Sequence, residues 1–155
     1  MSTALQVGKL ERLKPDRAFL KLEQCANRDL SESALEVPLF DFASTHHQLG
    51  ARLVTIPANR AFARHTHPKA HHFIYVLRGT GVLEYDGAMY ILKPGEYCVV
   101  CKGVVHKLGA GEDGLLAMIV NSPTYENGDP AHVHYLEDET LVSVEFASNG
   151  DATQR

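Results

Sequence analysis

The chain has 155 residues, 45% of them hydrophobic and 22% charged, a composition that suits one globular domain with one core. A formal net charge of -4 at pH 7 and the absence of any Lys/Arg run leave no basic field for phosphates, so nucleic acid is not expected as a partner. Met1 to Arg17 is interrupted by Lys9, Glu11, Arg12, Lys14, Asp16 and Arg17, which leaves no apolar stretch long enough for a signal peptide or membrane span; a cytoplasmic protein is expected.

The N-terminal region carries little pattern. Pro15 and Asp16 precede a mixed stretch, Arg17 to Gln24, that fits either a short helix opening at Pro15 or an extended arm. We take residues 1–47 as an N-terminal arm with the first strands. From Leu49 onward short runs rich in Val, Ile, Leu, Tyr and Phe alternate with turn residues, the signature of an antiparallel all-β sandwich or barrel. His72 to Leu77 is an apolar run that Arg78-Gly79-Thr80-Gly81 should close. Val82–Tyr85 and Ala88–Leu92 flank Asp86-Gly87, the dipeptide suited to the positive φ angles of a type I′ hairpin. Lys93-Pro94-Gly95-Glu96 reads as a turn, Tyr97 to Cys101 as a strand, Lys102-Gly103 as a turn and Leu115 to Val120 as a further strand. Residues 123–146 complete the domain with a strand and loop, and the small, polar residues 147–155 read as a tail.

Three cysteines, Cys25, Cys98 and Cys101, are an odd number without a secretion signal, which argues against a disulfide framework. Cys98 and Cys101 have C-x-x-C spacing, but the ends of that spacing point to opposite faces of a strand, so packing thiols are expected rather than a redox pair. The informative anomaly is histidine, with nine in the chain. His65 and His67 stand at i and i+2, which on an extended strand places both rings on one face. Alternation along Ile74 and Val76 puts His72 on the inner side and His71 outside; a shift of one position would exchange them. His106 follows the Lys102-Gly103 turn, and only a closed or strongly curved sheet brings it near the others. His132 and His134 follow the turn-rich Glu126-Asn127-Gly128-Asp129-Pro130, and are expected on a solvated loop, as are His46 and His47. Tyr75, Tyr85, Tyr90 and Tyr97 are expected to serve packing or a subunit interface. Glu84 and Glu96 are expected on solvated positions.

These residues resemble the cupin superfamily, whose motifs are G(X)5HXH(X)3-4E(X)6G and G(X)5PXG(X)2H(X)3N. His65, His67, His72 and Gly79 follow the first, with His72 where the family usually has Glu. Gly95, Gly103 and His106 follow the second, with Cys101 in place of Pro and Ala110 in place of Asn. The resemblance covers residues 48–122 and implies a jelly-roll barrel core there. It further implies one divalent transition metal ion, whether Zn, Fe, Ni, Cu or Mn, on His65, His67, His72 and His106. Four neutral imidazoles leave the full charge of the ion uncompensated, which favours anionic or chelating ligands. Neither motif holds a carboxylate to act as a base, so no catalytic residue is assigned. The expected activity is that of a dioxygenase or an isomerase or lyase acting on a small oxygenated molecule. The alternative is a non-catalytic module that binds or senses a small ligand. A homodimer is expected from the same resemblance, with the N-terminal arm able to extend a partner's sheet.

Overall fold

The computed structural model describes residues 34–125, 129–138 and 141–143. The helix-or-arm alternative over Arg17 to Gln24, Cys25 and the tail at 147–155 lie outside the described residues. Within them the chain forms ten strands: β1 (Leu35–Pro38), β2 (Gly50–Ile56), β3 (Arg60–Phe62), β4 (His65–Thr66), β5 (His71–Tyr85), β6 (Ala88–Leu92), β7 (Tyr97–Val100), β8 (His106–Ser122), β9 (His134–Tyr135) and β10 (Leu141–Ser143). The described residues hold no α-helix; a single 3-10 turn, Phe42–Thr45, is capped by Asp41, whose carboxylate accepts from the Ala43 N–H.

Two long strands form the spine. β5 and β8 pair antiparallel from His71↔Ser122 to Tyr85↔His106, and the remaining strands attach to their flanks. β8 also pairs with β2 along its second half and with β3 and β4 near its first, while β6 and β7 attach to β5. The result is one curled antiparallel sheet whose inner face encloses the core. The apolar runs supply that core: Val54, Ile56, Ile74, Val76, Leu108 and Leu115 are each 2% exposed or less. Full burial of such a side chain contributes about 1.5–3 kcal/mol.

The expected strand end after Leu77 needs correction. Arg78-Gly79-Thr80-Gly81 does not end a strand, because β5 runs on through it to Tyr85. The pairing with β8 slips between Val76 and Arg78 and again between Gly79 and Gly81, where Gly79 pairs with Leu115 but Gly81 with Ala110. The chain thus turns a corner within the sheet rather than leaving it. Gly79 permits the corner: its φ is +76°, and a Cβ there would strike the carbonyl of Gly114. β8 likewise extends well beyond the expected Leu115–Val120, reaching back to His106.

The local turn readings hold. Asp86 and Gly87 take φ values of 49° and 77°, and Tyr85 pairs with Ala88 across the two-residue loop. Glu96 closes the Lys93 turn by accepting the Lys93 N–H at 2.7 Å. Cys98 and Cys101 are free thiols; Cys98 is half-buried, and burial pushes it up to about 11, so it stays protonated and inert. Glu84 departs from the solvated expectation, since both its oxygens accept from the Arg64 guanidinium at 2.8 and 3.1 Å.

Candidate metal centre

At one end of the curled sheet the pairing brings separate strands together around their histidines. His65 on β4 lies directly opposite His106, the first residue of β8. His67 follows two positions after His65. The ligand nitrogens of His65, His67 and His106 all lie within 4.8 Å of one another, and the three rings are buried, at 5%, 6% and 3% exposure. His72 enters from the start of β5, where it pairs with Asn121 and Val100. It lines the same cavity and stacks on His67 with ring centroids 3.5 Å apart, but it lies outside the three-nitrogen group. Burial alternates as the pattern requires: His72, Ile74 and Val76 are buried, and His71 is exposed, its Nδ1 accepting the Lys102 N–H.

Backbone carbonyls fix the tautomers of the three grouped rings. A carbonyl can only accept, so each Nδ1 beside one carries the proton. His65 Nδ1 donates to the Ala63 carbonyl at 2.6 Å, His67 Nδ1 to that of His132 at 2.6 Å, and His106 Nδ1 to that of Val104 at 3.0 Å. Each Nε2 is left with its lone pair, the form in which an imidazole binds a metal. Burial acts in the same direction by disfavouring imidazolium. It holds His65 down to about 4, with His106 adding to the effect, and His67 down to about 3. His72 and His106 are lowered for the same primary reason. At neutral pH this is a cluster of neutral donors that no proton needs to leave.

Buried polar atoms bear on whether a cation fits here. His72 Nε2 is buried and has no hydrogen-bond partner among the described residues. A group left in that state costs about 1–3 kcal/mol, and a metal ion or its bound ligand would relieve it. The donor set and the orphaned nitrogen both suit a borderline transition metal.

The structure also brings in residues that the motifs do not contain. His132, expected on a solvated loop, is 7% exposed; its carbonyl holds His67 and its ring sits 5.6 Å from the His67 ring. The reason is long-range: β9 pairs with β4, and the Leu136 N–H bonds the Arg64 carbonyl, which draws the whole 129–138 segment over the histidines. His134, one turn of alternation later, is exposed, as are His46 and His47. Arg52 on β2 is 3% exposed and lines the cavity. Its guanidinium donates to Asn121 Oδ1 and the Tyr125 carbonyl, both at 2.8 Å, and lies 4.5 Å over the Phe42 ring. Asn121 in turn donates to Thr124 Oγ1 at 2.9 Å. A charged residue inside the mostly apolar Ala51–Ile56 run was the available sequence signal for Arg52. Tyr135, Glu36 and a wall of Val54, Ile74 and Leu108 complete a cavity of about 50 Å³.

A curled antiparallel sheet closed around histidines at one end is the architecture of a cupin. The family model described as the cupin domain matches residues 52–121, and over that span the chain is similar to the cupin family. No curated protein matches the chain. Among solved structures it is similar to KdgF from Halomonas sp., with 21% identity, a TM-score of 0.55, and coverage of 63% of this chain and 87% of that one. A cupin-like protein from Thermotoga maritima is 23% identical with a TM-score of 0.55, covering 66% of this chain and 75% of that one. A predicted oxalate decarboxylase from the same organism is 21% identical with a TM-score of 0.55, covering 58% and 80%. Likenesses at this identity establish the fold.

Proposed function

We propose that the protein is a metal-dependent enzyme acting on a small oxygenated molecule that chelates the ion through adjacent oxygens, with isomerase or lyase chemistry. His65, His67 and His106 hold one divalent transition metal, and His72 completes the set from the position where relatives usually place Glu. The observation that carries this reading is the set of three Nδ1–H donors on backbone carbonyls, which leaves three Nε2 lone pairs free on rings whose ligand nitrogens lie within 4.8 Å of one another. When bound, the ion supplies Lewis acidity to a substrate oxygen. The chain's own contribution is to orient the rings, to exclude bulk water with the Val54, Ile74 and Leu108 wall, and to limit substrate size through the small cavity. The polar side of the cavity, with Arg52, His132 and Tyr135, suits a substrate rich in oxygen.

Elemental analysis of protein prepared without chelators tests the first half, with about one metal per chain expected. Absence of stoichiometric metal would overturn the proposal. Turnover under anaerobic conditions tests the second half, since proton-transfer chemistry persists without dioxygen and dioxygenase chemistry stops.

A homodimer accompanies this reading. The outer face of the sheet is apolar where Leu53 and Leu116 pack with Val37 and Met118, and it continues to Tyr97 and Val99, which are 63% and 53% exposed.

A further inference from the structure

The cupin motifs of this chain supply no carboxylate to the histidines, yet the cavity has one. Among the described residues that line it, Glu36 on β1 is the sole carboxylate. It lies outside the segment that matches the cupin domain, at residues 52–121. β1 pairs with β2 so that Glu36 stands opposite Val54, itself 1% exposed and part of the cavity wall. Its neighbour Val37 packs on the other face with Leu53 and Leu116. Alternation therefore turns Glu36 inward.

An inward carboxylate ordinarily neutralises a buried cation, and Arg52 is at hand. The distances argue against that as its whole role. Arg52 directs its short bonds to Asn121 and the Tyr125 carbonyl, both 2.8 Å, whereas the Glu36 oxygen lies 3.8 Å from Arg52 Nε, beyond hydrogen-bond reach. Among the described residues Glu36 has this one long ion pair and no hydrogen bond; its side chain is 30% exposed and lines the cavity. Arg52 and Tyr135 are the polar groups that feel its charge, and His132 lines the same cavity.

We propose that Glu36 is the proton-transferring residue of this site, moving a proton between adjacent carbons of a small hydroxycarbonyl substrate. This rests on the metal-dependent reading above and adds the base which that reading lacks. The carboxylate takes the proton from the carbon beside the carbonyl. The C–H electron pair becomes the new C=C bond and the carbonyl π pair moves onto oxygen. Return of the proton to the neighbouring carbon, with the hydroxyl proton passing between the two oxygens, regenerates Glu36. No oxidant or co-reactant is consumed. Tyr135 stands on the same side, its ring 5.3 Å from that of His65. Its phenol lines the cavity and can donate a hydrogen bond to the oxygen that gains charge.

The test uses the metal-loaded full chain in D2O with dihydroxyacetone, glyceraldehyde and hydroxypyruvate as probes, following carbon-bound hydrogen by NMR. Wild type should exchange the hydrogen beside the carbonyl of at least one probe. Glu36→Gln should slow that exchange by about 100-fold or more, the scale of lost general-base catalysis, with Glu36→Asp intermediate. Metal content of Glu36→Gln should equal that of wild type. A readout independent of turnover is proton uptake when oxalate, an anionic mimic of the intermediate, binds: wild type should take up about one proton and Glu36→Gln none. Exchange by wild type with an undiminished rate and unchanged proton uptake in Glu36→Gln would overturn the role of Glu36 and leave the metal-enzyme reading standing. Full metal loading with no exchange of any probe by wild type would overturn the proton-transfer reading itself, and Glu36 with it.

Discussion

Replacement of Asn121 by Ala tests how the buried guanidinium beside the cavity is held. Asn121 and Thr124 are wholly buried, and Arg52 is 3% exposed. Asn121 Oδ1 accepts from Arg52 Nη1 at 2.8 Å while its Nδ2 donates to Thr124 Oγ1 at 2.9 Å. A hydrogen bond to a charged group contributes about 1.5–3 kcal/mol and a neutral one about 1 kcal/mol. The guanidinium keeps the Tyr125 carbonyl, so the loss is that of one charged and one neutral bond plus a small void, about 3–4 kcal/mol. For a chain of this length that lowers the melting temperature by about 10 °C. Thr124→Val removes only the neutral bond and should cost about 1 kcal/mol. Urea unfolding of the three proteins at one pH and fixed metal content gives both differences. An Asn121→Ala loss no greater than that of Thr124→Val would refute the argument, because it would mean that the charged bond contributes nothing.

The metal-free protein should lose stability as pH falls from about 6.5 toward 4. An unfolded histidine takes its proton near 6.5 while His65 resists until about 4, so the unfolded state binds more protons across that window and stability falls with pH. The expected loss is on the order of 3 kcal/mol for His65 alone, and a flat urea midpoint between pH 7 and pH 4.5 would contradict it. Adding a divalent transition metal at 100 times its dissociation constant should stabilise the protein by about 2.7 kcal/mol; thermal melts of His106→Ala should show little of this shift, and a full shift would remove His106 from the ligand set. Light scattering should give the mass of a dimer at micromolar concentration, and Tyr97→Asp with Val99→Asp should give a monomer; a wild-type monomer would count against the apolar outer face as an interface.

Local chemistry was legible in the sequence wherever neighbours along the chain decide the outcome. Asp86-Gly87 forms its hairpin because two positive φ angles suit those residues, and His72 turns inward because Ile74 and Val76 do. Gly79 was misread because a glycine with positive φ ends a strand or bends one with equal ease. The partner strand decides, and Leu115 and Ala110 are far along the chain. His132 was misread for a similar reason. The turn-rich residues before it describe a loop, and nothing nearby reveals that β9 lays that loop across β4. Glu36 reaches the cavity through the β1–β2 pairing, again without a signature in its own neighbourhood. Arg52 was also missed, although a charge within the mostly apolar stretch from Ala51 to Ile56 is a signal that calls for buried partners.

The carbonyls that orient the histidines have an evolutionary consequence. Ala63 and Val104 each stand two residues before the ring they hold, and the third acceptor is the main chain of His132. None of these contacts uses a side chain, so single substitutions at the three acceptor positions leave the acceptor atoms in place. Mutation is then free to vary the lining of the cavity, Glu36, Tyr135 and the apolar wall included, while the geometry of the centre is inherited unchanged. A scaffold wired in this way can change its substrate without first rebuilding its histidine cluster.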